Sequence, residues 1–364
     1  MIKSLHSLRG VAALLVVLFH WRYLINADVP GLGDRLIRGG YSGIDLFFII
    51  SGFVMVIATA GAQRSLVRPF LIRRAFRVIP LATAATLFAY LISTGADRRG
   101  LLTSLLFLPR DHAAPPPGYG YALNIPQWTL GYELLFYAIF AAAIAISPRG
   151  RTAVAGTIIV ALVILIQLAT TGAVTIRPFA VPEGIFDADP SGILAMLGNP
   201  IMLEFIIGMV VAEITLTGRT FLSAGAWRAA VGLATVLTIV ALITDFPGAS
   251  GVLGWGAMMA ALFLPVVFYE KAGGATSSPM LLKLGDWSYS IYISHLLVST
   301  VVGSFLSFTT LENHISGLDR IPLFLAVTLA VSALLHRYLE LPCIAFGRRL
   351  CRASMPGPVP SAAE

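Results

Sequence analysis

Apolar runs of bilayer-spanning length recur along the whole chain, separated by short polar stretches. A helix needs ~20 apolar residues to cross the hydrocarbon core of a membrane. The runs lack the apolar–polar alternation of transmembrane β-barrel strands. The pattern therefore predicts an all-α, polytopic integral membrane protein with about ten transmembrane helices. These spans lie near residues 8–26, 42–61, 78–95, 126–146, 152–170, 193–215, 229–246, 251–270, 287–308 and 321–340.

The segments between the predicted spans complete the organisation of the chain. The apolar stretch 101–109 is too short to cross a membrane and is interpreted as re-entrant or interfacial. Two long loops, 96–125 and 171–192, are rich in proline, aromatic and acidic residues, which suit either a carbohydrate acceptor or ordinary solvated loops. We predict one membrane domain over residues 1–345 and a disordered cytoplasmic tail over 346–364.

Composition and charge agree with this assignment. Of the 364 residues only 12% are charged and 57% are hydrophobic, whereas a soluble protein carries about 25% charge. The net charge of +7 is explained by Lys and Arg in cytoplasmic loops, since no nucleic-acid-binding motif accompanies it. The distribution of Lys and Arg predicts that both termini are cytoplasmic. The lipid bilayer is thus an expected partner, and nucleic acid is not.

The first predicted span contains an arginine and a histidine in the stretch "SLRGVAALLVVLFH". Residues eleven apart lie about 20° apart around a helix and ~16 Å apart along it. Arg9 and His20 therefore share one face at two membrane depths. A neutral His20 suits a general base, whereas Arg9 suits either an anion site or an anchor among lipid headgroups.

Two carboxylates and a tryptophan fall within or at the ends of other spans. Asp45, in "GGYSGIDLFFIISGF", is placed to orient a histidine or to pair with an arginine. Glu133, in "PQWTLGYELLFY", reaches a depth comparable with that of His20, so it is a candidate for orienting His20 or for activating an acceptor. Trp128 fits an interfacial anchor. Because ionisable groups inside a membrane are costly, His20, Glu133 and Asp45 form the predicted catalytic set.

Two further clusters carry candidate chemistry. Arg73, Arg74 and Arg77 lie within an arc of about 100° on one helix, which suits a phosphate clamp or the ordinary positive-inside bias. A second helix places Ser288, Tyr292 and His295 on one face, with Tyr289 adjacent. These side chains suit helix–helix hydrogen bonds or oxyanion stabilisation.

The sequence contains no P-loop, no GxSxG elbow, no HExxH and no Cys/His metal set, so we expect no metal and no bound cofactor. Three other classes stay open. One is a transporter or flippase of acylated or lipid-linked sugars, although no inverted repeat is evident. Another is a non-enzymatic scaffold of an export complex. The third is an acyltransferase that acts on a lipid or small-molecule acceptor.

Five of these motifs, in this order, resemble those of the membrane acyltransferase 3 family. They are the Arg9–His20 pair, "GYSGIDLFFIISGF", "RRAFRVIP", "WTLGYELLFY" and "SYSIYISH", and the resemblance extends from residue 4 to about 345. Within the family, the opening resembles exopolysaccharide-modifying acetyltransferases that decorate succinoglycan. The family often has "WSLxxE" where this chain has "WTLGYE", with Thr129 in place of the serine.

The resemblance implies an O-acyltransferase of the bacterial inner membrane that moves an acyl group, usually acetyl, from cytosolic acyl-CoA to a glycan hydroxyl. It implies that His20 is the essential histidine and that Arg9, Arg73, Arg74 and Arg77 bind the acyl donor. Acyl-CoA is then a co-substrate rather than a bound cofactor. A glycan acceptor at the outer face and polysaccharide export machinery are the implied partners.

Overall fold

The chain folds into a bundle of helices of very unequal length. The computed structural model describes residues 3–61, 63–95, 97–111, 114–180, 191–275, 278–309, 315 and 317–353. Within these residues the regular structure is helical, with no strand. The α-helices are α1 (Lys3–Asp28), α2 (Leu32–Ile37), α3 (Gly43–Ala58), α4 (Val67–Ile92), α5 (Arg98–Leu105), α6 (Trp128–Ile146), α7 (Arg151–Thr171), α8 (Ile193–Gly198), α9 (Leu203–Leu216), α10 (Ala224–Thr244), α11 (Trp255–Lys271), α12 (Pro279–Ser307), α13 (Gly317–Leu335) and α14 (Leu341–Ala353).

Eight helical segments of the described chain are long and apolar enough to cross a membrane, which confirms the prediction of an all-α, polytopic membrane protein. The two other predicted spans correspond to α9, with 14 residues, and α11, with 17. At 1.5 Å per residue these two helices are short for a crossing. The count of ten and the cytoplasmic termini therefore remain predictions. The stretch 101–109 overlaps α5, which has 8 residues and ends at Leu105.

Local signals in the sequence explain where several helices begin and end. The side chains of Asp97, Ser223 and Ser278 accept hydrogen bonds from backbone N–H groups in the first turns of α5, α10 and α12. Such N-caps satisfy donors that have no partner within the helix. Helix α7 ends at Gly172, whose φ of 68° is the left-handed conformation that glycine adopts without a steric penalty.

Helices α1 and α12 pack closely and run in the same direction. Arg9 near the start of α1 contacts Ser288, and His20 further along contacts His295. A Cβ atom on Gly10 would lie 2.8 Å from the Cβ of Leu284, so the absence of a side chain there permits the close approach. The parallel direction agrees with the prediction that these helices are the first and ninth spans.

The end of the described chain is helical beyond the predicted boundary at residue 346. After α13, a π-helical turn at His336–Glu340 leads into α14, which continues to Ala353. The rings of Phe76 and Phe346 lie 5.4 Å apart, and the Cys351 thiol contacts the Pro69 carbonyl oxygen. This packing against α4 orders the first part of the predicted tail, whereas 354–364 lie outside the described residues.

Candidate functional site

Two cavities lie at different heights along α1. The arginine cavity is narrow, about 60 Å³, and is lined by Arg9, Ile44, Phe47, Phe48, Ile50, Ser51, Val54, Met55, Arg74, Arg77, Thr129, Leu130, Glu133, Tyr137, Tyr289 and Tyr292. The histidine cavity, of about 500 Å³, is lined by Phe19, His20, Arg22, Arg38, Tyr41, Ile44, Pro117, Tyr121, Ile125, Pro126, Trp128, Phe179, Ile201, Asp245, Gly248, Ala249, Ser250 and Tyr292. Only Ile44 and Tyr292 line both, so one layer of side chains separates the two spaces.

Arg9 is held in the arginine cavity by α12. Its Nε donates a hydrogen bond to Ser288 Oγ at 3.3 Å, and the Ser288 hydroxyl donates in turn to the Gly285 carbonyl oxygen at 2.8 Å. The predicted face of α12 thus contacts the predicted face of α1. The Arg9 side chain also lines the arginine cavity, and a guanidinium has further N–H donors besides Nε.

The three arginines of α4 do not all line the arginine cavity. Arg74 and Arg77 line the arginine cavity, whereas Arg73 is exposed and lies outside its lining. The Arg74 guanidinium lies 5.8 Å from the ring centroids of both Phe70 and Tyr137, which orient it by cation–π contacts. Arg74 and Arg77 therefore share the cavity, whereas Arg73 does not line it.

A buried glutamate in the π-helical turn between α13 and α14 pairs with Arg77. Glu340 accepts hydrogen bonds from Ser290 Oγ at 3.0 Å and His336 Nδ1 at 2.9 Å, and its Oε1 lies 3.8 Å from Arg77 Nη1. Pro342 follows the π-helical turn and cannot donate a backbone hydrogen bond, which is a known cause of such irregular turns. This pairing joins distant segments of the chain, so the sequence alone did not reveal it.

Glu133 belongs to the arginine cavity and not to the surroundings of His20. Its carboxylate accepts hydrogen bonds from Ser51 Oγ, at 3.1 Å, and from the Tyr137 hydroxyl. The prediction that Glu133 orients His20 is therefore not supported by this structure. In the arginine cavity its negative charge partly balances those of Arg9, Arg74 and Arg77.

His20 pairs with His295 of α12. His295 Nδ1 lies 2.8 Å from the Tyr292 carbonyl oxygen, so this nitrogen carries a proton and Nε2 is left as an acceptor. That Nε2 lies 3.2 Å from His20 Nδ1, which is also 2.9 Å from the Val16 carbonyl oxygen. These partners assign the proton of a neutral His20 to Nδ1. His20 Nε2 is then unprotonated, as a general base requires.

This pair takes the place of the carboxylate predicted to orient His20. In the part of the chain described, the partners of His20 are Val16 and His295, and neither Glu133 nor Asp45 is among them. A His20 that gains a proton on Nε2 keeps its Nδ1–H bonded to these acceptors. The sequence identified His295 as a supporting residue. Its contact with His20, which is 275 positions away in the sequence, depends on how α1 and α12 pack and could not be predicted.

Asp45 is buried away from His20 and faces another carboxyl group. Its two oxygens accept hydrogen bonds from Ser250 Oγ at 3.0 Å and from the Gly251 backbone N–H at 3.1 Å. The Glu204 carboxyl of α9 lies against it, and both residues are fully buried. Neither oxygen of Glu204 forms a hydrogen bond of standard geometry among the described residues, although the Gly251 backbone N–H also lies near its carboxyl group. A proton on one carboxyl supplies the missing bond, so we interpret Asp45 and Glu204 as sharing a proton.

Replacing Glu204 tests this interpretation. Glu204→Gln should leave the melting temperature of the detergent-solubilised protein nearly unchanged, because the amide donates to Asp45. Glu204→Ala should lower it by several degrees, since leaving a buried polar group without its hydrogen-bond partner costs about 1–3 kcal/mol. Thermal unfolding followed by tryptophan fluorescence measures both. Equal destabilisation by the two variants would contradict a shared proton.

The remaining predicted side chains lie around the layer between the cavities. Tyr289 donates its hydroxyl hydrogen to the Val78 carbonyl oxygen at 2.6 Å. The Tyr292 hydroxyl lies 3.0 Å from the Pro126 carbonyl oxygen and 2.8 Å from Thr129 Oγ1. Neither hydroxyl is therefore free to stabilise an oxyanion in this arrangement. Trp128 lines the histidine cavity, which gives it a more specific position than that of an interfacial anchor.

Comparisons with known proteins identify the family. The sequence profile described as "Acyltransferase domain" matches residues 2–337. The chain is 31% identical over 276 residues to "Exopolysaccharide production protein ExoZ" of Rhizobium meliloti (strain 1021), covering 72% of this chain and 78% of the relative. It is 26% identical over 384 aligned positions to "Acyltransferase MdmB" of Streptomyces mycarofaciens, covering 98% and 95%. No solved structure matches significantly. The chain belongs to the acyltransferase 3 family and is a multi-pass membrane O-acyltransferase.

Proposed function

We propose that this enzyme transfers an acetyl group from cytosolic acetyl-CoA to a hydroxyl of an exported or envelope polysaccharide, across the bacterial inner membrane. The observation that carries this proposal is the placement of Arg9 and His20 on one helix, in two cavities that share a wall. The anionic donor, acetyl-CoA, would enter through the arginine cavity, and the hydroxyl acceptor would enter through the histidine cavity. The two substrates would meet near Tyr292.

The arginine cavity is suited to the donor. Arg9, Arg74 and Arg77 together offer three guanidinium groups, and guanidinium pairs well with phosphate oxygens through charge-assisted hydrogen bonds. With the N-terminus cytoplasmic, as the Lys and Arg distribution predicts, this cavity faces the compartment that contains acyl-CoA. The thioester arm then extends along α1 over the ~16 Å that separate Arg9 from His20.

The histidine pair supplies the proton chemistry. His20 Nε2 removes the proton from the acceptor hydroxyl while its oxygen attacks the thioester carbonyl carbon. The carbon–sulfur bond breaks, and the leaving coenzyme A thiolate takes the proton from His20, so the transfer is balanced. His295 accepts a hydrogen bond from His20 Nδ1–H throughout, which fixes the ring orientation and stabilises the charged intermediate.

The thioester has to pass the layer between the cavities. Tyr292 closes this layer through its hydroxyl contacts to Pro126 and Thr129, and its ring packs 5.5 Å from that of Phe47. Rotation of the Tyr292 side chain breaks those contacts and joins the two spaces. Tyr292 forms part of the wall of the arginine cavity. A donor that enters this cavity would displace side chains of that wall and so favour the rotation of Tyr292.

The polysaccharide acceptor is supported by the relative that is 31% identical over 72% of this chain, an exopolysaccharide production protein. Deletion of the gene should remove O-acetyl signals from the proton NMR spectrum of the purified exported polysaccharide. Complementation with the wild-type gene should restore them, and an empty vector should not. Unchanged O-acetylation after deletion would contradict the proposed acceptor.

The donor is tested with the purified protein in vesicles. [¹⁴C]Acetyl-CoA and de-O-acetylated polysaccharide, placed on opposite sides of the membrane, should give labelled polysaccharide only when the enzyme is present. Label that appears in the lipid fraction instead would identify a lipid acceptor and overturn the polysaccharide assignment.

A further inference from the structure

We propose that the histidine cavity is a saccharide subsite in which Tyr121 stacks on a sugar ring and Asp245 accepts a hydroxyl hydrogen bond. This inference rests on the proposed function and adds to it the residues that hold the acceptor. It follows from three features of the cavity: its aromatic walls, its unusual backbone and the charged Asp245–Arg38 pair in its lining.

Aromatic side chains form much of the wall around His20. Tyr121 and Phe179 are 47% and 52% exposed, although both line a cavity. The Tyr121 ring is supported from behind, because it packs against Gly118, where a side chain would collide with it, and lies 6.2 Å from the Trp128 ring. A supported ring with an open face is suited to the apolar C–H face of a pyranose.

The backbone holds two of these side chains in an uncommon conformation. In the described chain, four non-glycine residues have positive φ, and two of them, Tyr121 at 51° and Asp245 at 50°, line the histidine cavity. A bulky residue in this region is strained unless its surroundings impose the conformation. Such residues cluster at ligand sites. The strain at Tyr121 directs an aromatic ring toward open space instead of burying it.

Asp245 and Arg38 add polar groups to the lining of the same cavity. Asp245 Oδ2 lies 3.4 Å from Arg38 Nε, and the Asp245 side chain is 29% exposed. Its Oδ1 is shielded from solvent, so Oδ2 is the oxygen that a ligand hydroxyl would reach. The Arg38 guanidinium offers donors beside it.

The volume of the cavity and the presence of His20 in its lining also suit this ligand. Its volume of about 500 Å³ lies within the ~300–1,000 Å³ of a typical small-molecule pocket. It therefore has room for a sugar unit. His20 lies in the same lining as Tyr121 and Asp245. A ring held between the last two would present one hydroxyl to His20 Nε2 and leave the rest of the chain free to extend outward.

Steady-state kinetics with two acceptors test the proposal. The first acceptor is the oligosaccharide repeat of de-O-acetylated exported polysaccharide, and the second is 1-hexanol, which has no ring to stack. Tyr121→Ala should raise KM for the oligosaccharide about tenfold and leave kcat and the slow transfer to hexanol unchanged. Tyr121→Phe should behave as wild type, since it keeps the ring. Asp245→Asn, which tolerates the same backbone conformation, should also raise the oligosaccharide KM.

Tyr23→Ala is the matched control, because Tyr23 is 54% exposed on the same helix as His20 but lies outside the cavity lining. An unchanged oligosaccharide KM in Tyr121→Ala, with hexanol transfer intact, would overturn the subsite while leaving the proposed function standing. An equal rise in the oligosaccharide KM in Tyr121→Phe and Tyr121→Ala would show that the ring does not stack on the sugar. Absence of acetyl-CoA-dependent transfer by the wild-type enzyme to either acceptor would instead contradict the proposed function.

Discussion

His20→Gln should reduce acyl transfer by about 10²–10⁴-fold, the usual contribution of a general base. Glutamine retains a hydrogen-bonding side chain of similar length but cannot take the proton from a hydroxyl. The His20–His295 contact at 3.2 Å and the Val16 contact at 2.9 Å assign that base to Nε2. The measurement is the rate of [¹⁴C]acetyl transfer by purified enzyme in vesicles, at saturating acetyl-CoA and acceptor.

The matched control is His295→Gln, which keeps a group able to accept from His20 Nδ1–H. It should lower kcat by less than His20→Gln does, and it should leave KM for acetyl-CoA unchanged, because His295 orients the base without touching the donor. Both variants should reach the membrane at the wild-type level. Normal transfer by His20→Gln would show that the proton acceptor is another group.

Arg74→Gln combined with Arg77→Gln should raise KM for acetyl-CoA by at least about 100-fold. Each charge-assisted hydrogen bond to phosphate contributes about 1.5–3 kcal/mol, and both guanidinium groups line the arginine cavity. The kcat should change much less, since neither arginine lies in the lining of the histidine cavity. Initial rates over a range of acetyl-CoA concentrations give both constants.

Arg73→Gln is the control for that experiment. Arg73 neighbours Arg74 in sequence and carries the same charge, but it is exposed and lies outside the cavity lining. Its removal should leave KM within about twofold, because an exposed charge contributes little to a site it does not touch. A rise in KM equal to that of the double variant would mean that the clamp is a diffuse positive surface and not the cavity.

The elements that the sequence predicted well are those whose evidence lies within one helix. The length of the apolar runs gave the long spans, and an interval of eleven residues placed Arg9 and His20 on a common side of α1. The short helices α9 and α11 fit the pattern less well. Each packs against α3, which is itself buried, so they can be apolar without having the length of an independent span.

The partners of the candidate residues were harder to predict, because similar depth in a membrane does not give direction around a helix. Glu133 and His20 were placed at comparable depths, yet they face different cavities. Asp45 was predicted to meet a histidine or an arginine and instead meets Glu204, 159 positions away. A single sequence contains no record of such distant contacts, and Glu204 was missed because it lies within an apolar run.

The side-chain layer at Ile44 and Tyr292 has a consequence for the energy balance of the cell. In the proposed inner-membrane location, a water-filled path through this bundle would connect two compartments at different electrochemical potential, and a histidine pair in that path would relay protons. In this structure the Tyr292 hydroxyl contacts Pro126 and Thr129, which closes the layer between the two cavities. Under the proposed mechanism, the side chain that has to move for the thioester is therefore also the one that limits ion leakage.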